Sequence, residues 1–182
     1  MTTQAAGHHP KAPTRQRTLG TALFTASLAS AVDQASKWAI LEHVMNPPRL
    51  IEVTPFFNLT LGFNRGVSFG LLGDGTAGPW LLSGLALAIV IGLAMWARRT
   101  DSRIEAGAIG AIMGGGIGNV IDRVRQGAVT DFLDLHAFGW HWPAFNLADV
   151  AIVCGVGVLL MLSWFGKDSE DPALVEHPSP RR

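Results

Sequence analysis

The sequence predicts an all-α membrane protein with four transmembrane helices and a small extracytoplasmic β-cradle. Three observations predict it. The 182 residues are 48% hydrophobic and only 15% charged, with zero formal net charge and a mean hydropathy of +0.29; that is too apolar for an ordinary soluble domain of this length. The apolar residues gather into four runs of roughly the 20 residues that a bilayer core requires. Between the first two runs lies a stretch of strand-like composition, broken by Pro55, Gly62 and Gly66.

The first run, Leu19 to Leu41, carries Asp33 and Lys37. A basic segment precedes it, as in a secretory signal, but apolar sequence continues beyond Asp33 and Lys37 and three more runs follow, so it reads as an uncleaved helix. The second, Trp80 to Ala97, has no charge at all. The third, Ile104 to Ile121, contains the glycine cluster Gly114 to Gly118. No strand precedes this cluster and no Lys-Ser/Thr follows it, so it reads as close helix packing in a membrane rather than a phosphate loop. The fourth, Phe145 to Phe165, is free of charge after Asp149.

Lysine and arginine set the orientation. Nine of them (Lys11, Arg15, Arg17, Arg98, Arg99, Arg103, Lys167, Arg181 and Arg182) flank one side of the four runs, against Arg49, Arg65, Arg123 and Arg125 on the other. Both termini are therefore expected in the cytoplasm. Trp96 and Trp164 fall at inner ends and Trp38, Trp80, Trp140 and Trp142 at outer ends, as an interfacial belt requires. The expected organisation is a disordered tail over 1–18, a transmembrane domain over 19–166 with its cradle at about 48–73, and a second disordered tail over 167–182.

Zero net charge without a basic stripe excludes nucleic acid as a partner. The single cysteine, Cys154, reads as a buried core thiol. His136 and His141 read as a loop pair at the membrane surface, since no Cys/His cluster has metal-site spacing.

Ionisable residues at membrane depth cost several kcal/mol unless paired or hydrated, so each needs a reason. Asp33 and Lys37 stand four apart with the acid first and meet on one helix face as a structural pair. Asp122, beside Arg123, reads as a cation-held anchor, and Asp134 as a solvated surface acid. If 129–134 runs extended, Asp131 shares a face with Val129 and Leu133, where desolvation raises its pKa; a helical segment would remove that argument. Asp149 opens the fourth run with Asn146 one turn before it, so amide and carboxylate can share a cavity. Two carboxylates brought together at that depth would share a proton, one acting as base and the other as acid towards a peptide bond, with no metal or organic cofactor.

The motifs DQASKW, FNRGVSFG, GGGIGNVIDR, VTDF and FNLAD, in that order between Asp33 and Phe165, resemble those of lipoprotein signal peptidase (signal peptidase II). The resemblance implies an aspartyl peptidase of the bacterial inner membrane with four transmembrane helices and a β-cradle. It would cut signal peptides from prolipoproteins before a diacylglyceryl-modified cysteine, and globomycin would inhibit it. It implies Asp131 and Asp149 as the catalytic pair; Asn64, Asn119, Arg123 and Asn146 as substrate-binding residues; and Asp33, Lys37 and Asp122 as support. The expected partners are lipidated prolipoprotein signal peptides and membrane lipids, with the chain a monomer. Arg65 stands where the family commonly has a small polar residue, and Thr130 where valine is usual. A transporter would show inverted repeats and midplane acids; no repeat is evident, and the acids cluster at one face. A scaffold would need them for stability alone.

Overall fold

The computed structural model describes residues 14–66 and 77–165. Lys11, Lys167, Arg181, Arg182, the tail 167–182 and cradle positions 67–73 lie outside them. Four long helices carry the architecture: α1 (Thr14–Ala39), α2 (Ala77–Ala97), α3 (Arg103–Gln126) and α4 (Leu147–Phe165). Three segments, Gly78–Ala97, Arg103–Gln126 and Leu147–Phe165, are long and apolar enough to cross a membrane. Helix α1 is as long but more polar, and it begins at Thr14, inside the stretch expected as a disordered tail. A π-helical turn, Ile40–Val44, ends it.

Apolar side chains face outward as well as inward. Phe24 on α1, Ile91 on α2 and Val153, Leu160 and Trp164 on α4 are all exposed, as are all six tryptophans. Such surfaces suit lipid, not water.

Helix α3 is the hub, in contact with α1, α2 and α4. Its glycines explain why. A Cβ at Gly110 or Gly114 would stand 2.3 Å from the carbonyl oxygen of Ala22 or Ala26 on α1, and one at Gly115 would stand 2.4 Å from that of Ala148 on α4. Backbone-to-backbone approach therefore builds the bundle, as the glycine cluster predicted. Ser102 caps the start of α3 by accepting from Glu105 N, and Gly127, at φ 73°, ends it in the left-handed conformation.

The sheet is antiparallel, with strand order β1 (Ile51–Thr54), β2 (Phe57–Asn64), β3 (Val129–Ala137), β4 (Trp140–His141). The first two strands fall inside the expected cradle. The other two come from the α3–α4 connection, so 129–134 does run extended and Gly62 lies opposite Asp131. Phe132, Ile40 and Met45 form a small core that joins the sheet to the end of α1.

Candidate active site

Three acceptors surround the Lys37 ammonium: Asp33 Oδ2 at 2.8 Å, Asp122 Oδ2 at 2.9 Å and Asn119 Oδ1 at 3.1 Å. An ammonium has three protons, so this buried cation is fully used. The acids are equally committed. Asp33 Oδ1 accepts from Ala148 N at the start of α4, and Asp122 accepts from Gln34 Nε2 and Thr130 N. A Cβ at Gly118 would stand 2.4 Å from Asp33 Oδ2, so only glycine leaves room for this knot. The cation at Asp122 is Lys37, from another helix. Arg123, its neighbour in sequence, does not pair with it.

The second cluster starts from a helix cap. Asn146 precedes α4, and its Oδ1 accepts from Asp149 N while Asp149 Oδ2 accepts from Asn146 N, each at 3.1 Å. This is a reciprocal capping box with an aspartate closing it. The Asn146 Nδ2 amide then reaches Asp131 Oδ1 at 2.6 Å and Asn119 Oδ1 at 3.2 Å. Asn119 in turn donates from Nδ2 to Asp149 Oδ1 at 2.9 Å. Asn146 is fully buried and thus touches both aspartates of the expected pair.

Asp131 is 4% exposed. Burial pushes its carboxyl up to about 6; hydrogen bonds from Asn146 and Asn64 work against the rise, and the charge of Asp149 adds to it. The extended β3 gives Asp131 the same face as Val129 and Leu133, and its carboxyl's hydrogen-bond partners are amides.

The four residues expected to bind substrate divide in two. Asn119 and Asn146 spend their amides on protein partners. Arg123 keeps capacity: its Nη1 donates to the Asn119 carbonyl at 3.5 Å, but its Nε is buried without a partner, and its guanidinium lies within electrostatic reach of Asp149, Asp131 and Asp122. Asn64, exposed at the end of β2, accepts from Gly66 N at 2.8 Å and turns its amide to Asp131.

Asp134 is not a surface acid. It is 5% exposed and accepts from Asn58 Nδ2 on β2 and from His141 Nδ1. Burial opposes its charge, but these bonds win and hold its carboxyl below the usual range. His136 and His141 stack at 4.9 Å between ring centroids. Among the described residues no group of three His, Cys, Asp or Glu has the arrangement of a metal site.

Cys154 is exposed on α4, correcting the buried reading. With Leu135, Trp142, Phe145, Val150 and Val153 it lines an apolar hollow of about 360 Å³ that ends at Asp149. The arrangement offers two carboxylates bridged by one residue, Asn146, a guanidinium with an unused donor and a greasy approach.

Comparison with known proteins points to one family. Residues 25–165 match the family model described as signal peptidase (SPase) II. A lipoprotein signal peptidase of Methylorubrum extorquens (strain PA1) is 49% identical over 135 residues, covering 72% of this chain and 78% of its own. The lipoprotein signal peptidase of Methylobacterium radiotolerans is 45% identical over 166 residues, covering 87% and 95%. Among solved structures, a bacterial membrane enzyme determined in meso at 1.9 Å superposes with a TM-score of 0.71 at 30% identity, covering 79% of this chain and 92% of that one. A second, at 2.3 Å, gives 0.67 at 28% identity, covering 90% and 95%.

Proposed function

The chain belongs to the signal peptidase II family, a family of membrane proteases, and from that premise we propose that it removes signal peptides from diacylglyceryl-modified prolipoproteins, cleaving before the lipidated cysteine with a water held between Asp131 and Asp149. One observation carries the mechanism: buried Asn146 donates its side-chain amide to the Asp131 carboxylate and its backbone N–H to that of Asp149. A shared bridge brings two carboxylates to one place, and among the described residues no cation is in contact with either.

Chemistry then follows from where protons sit. Asp131, raised to about 6, suits the partner that holds a proton and gives it to the departing amine. Asp149 faces N–H donors at both oxygens and suits the partner that takes the proton of the attacking water. The two titrate as a unit. Arg123 and Asn64, which have donors to spare, hold the substrate backbone. Asn119 and Asn146 act by positioning the aspartates, and Asp33, Lys37 and Asp122 support them by tying α1 to α3 and α4. Globomycin would block the site.

The same reading has α1 crossing the membrane as a fourth span, its Asp33 and Lys37 neutralised within the bundle. Both termini then lie in the cytoplasm of an inner-membrane monomer, with the dyad near the outer face. The lysine and arginine distribution supports this orientation.

The test uses diacylglyceryl-modified prolipoprotein and purified protein in detergent. Asp131→Asn and Asp149→Asn each lower turnover by about 10³-fold or more while remaining folded and membrane-inserted. Normal processing by either variant would remove that residue from the chemistry. Lost processing together with a collapsed melting transition would favour a scaffold role.

A further inference from the structure

At the other end of the bundle from the aspartates, the start of α1 and the end of α2 enclose a hollow of about 520 Å³ lined by Gln16, Leu19, Met95, Arg98 and Arg99. Its two arginines are exposed, and among the described residues neither side chain has an ion pair or hydrogen bond. The acid in the first turn of α3, Glu105, accepts from the Thr100 hydroxyl. Two unmatched guanidinium groups therefore stand over an apolar wall.

What leads away from the hollow matters as much. Leu87, Ile91 and Met95 recur every four residues on α2, and all three are exposed. Residues four apart share a helix face, so these form one apolar stripe that ends at Met95, in the wall of the hollow. A ligand matched to both features carries negative charge at one end and a hydrocarbon body at the other. A free phosphate satisfies the arginines but leaves Leu19, Met95 and the stripe uncovered. An uncharged or zwitterionic lipid covers the stripe but leaves the arginines without a net counter-charge.

We propose that this hollow is a binding site for an anionic phospholipid, with its phosphate between Arg98 and Arg99, a headgroup hydroxyl or ester oxygen on Gln16, and an acyl chain along Leu87, Ile91 and Met95. The site is separate from the aspartate pair and does not depend on the reaction proposed there. It pins the α1 and α2 ends together through the membrane's own lipid, where among the described residues no carboxylate pairs with either arginine.

Native mass spectrometry of the purified full chain in detergent, titrated with phosphatidylglycerol or with phosphatidylcholine of the same acyl chains, tests this. The wild type retains phosphatidylglycerol in preference to phosphatidylcholine. The double variant Arg98→Gln/Arg99→Gln binds phosphatidylglycerol roughly 10- to 30-fold more weakly, the loss expected for two surface-proximal cations. Arg98→Lys/Arg99→Lys, which keeps the charge that sets topology, retains the preference. Leu19→Trp keeps every charge but fills the hollow, and it also loses the preference. Retention unchanged in Leu19→Trp would mean diffuse electrostatics in place of a site and would overturn the proposal. So would equal retention of the two lipids, or displacement of phosphatidylglycerol by millimolar inorganic phosphate. If the glutamine variant fails to insert, the lysine and tryptophan variants still decide.

Discussion

Two acid clusters sit side by side at one end of this bundle, and the difference between them lies in what holds each acid. Asp33 and Asp122 share one buried ammonium, Lys37, at 2.8 and 2.9 Å. Asp131 and Asp149 are held by amides, from Asn146 and Asn119, with no cation in contact among the described residues. A cation in contact fixes the charge and makes an acid an anchor; an amide orients a carboxylate and leaves its proton in play. Asn119 joins the two clusters and enforces their separation. Lysine can only donate, so the Asn119 oxygen must face Lys37, and its nitrogen must then face Asp149. The anchor thereby sets the orientation of an amide in the pair.

The widest separation between the clusters should appear on removing the cation. Lys37→Met leaves two buried carboxylates unpaired, and breaking a buried ion pair from one side costs about 3–5 kcal/mol. Denaturation in detergent should show that loss, whereas Asp149→Asn, which removes no counter-charge, should unfold close to wild type. A Lys37→Met protein as stable as wild type would mean that the two clusters do not differ in the way described.

A smaller effect is expected from crowding the anchor without touching its charges. Gly118→Ala places a methyl 2.4 Å from Asp33 Oδ2 and pushes that carboxylate from Lys37 and from Ala148 N. Overpacking of this kind costs about 1–3 kcal/mol. Gly84→Ala on α2, where an added Cβ meets nothing within 4 Å, is the matched control. Equal melting of the two alanine variants would show that the knot tolerates displacement.

Periodicity and composition make much of this molecule legible. The apolar runs, the glycine contacts of α3 and the first two strands follow from local sequence, because membrane length, small side chains and alternation are local properties. The Lys37–Asp122 pair was not legible: the residues are 85 positions apart, and Arg123 was the nearer cation in sequence. Asp134 was misread for a similar reason, since its burial depends on β2–β3 register and on His141 folding back in β4. Cys154 was misread because the rule that apolar runs bury their thiols assumes water outside; a bundle sheathed in exposed valine and leucine reverses it. The partners of Asn119 were not legible either, because Lys37, Asn146 and Asp149 reach its amide from three different elements.

The smallest effect is the sharpest test of the amide-held pair, because its sign opposes the usual outcome of mutation. Asp131 is folded with its carboxyl raised to about 6 against an ordinary 3.8, so the fold disfavours the ionised form. Below pH about 4 the carboxyl is protonated in both states and contributes nothing. Between about 4 and 6 the unfolded chain releases the proton while the folded one keeps it, and stability falls as pH rises; above 6 the penalty is complete. A shift of that size corresponds to at most about 3 kcal/mol. Asparagine removes the penalty but turns an N–H towards the Asn64 amide, returning about 1 kcal/mol. Asp131→Asn should therefore melt above wild type at pH 7, by the equivalent of about 1–2 kcal/mol, with the gain gone at pH 4. An inactive variant that is also more stable is what a group kept for chemistry at the fold's expense should give. A variant less stable at pH 7, or a gain that persists unchanged at pH 4, would put Asp131 among the anchors.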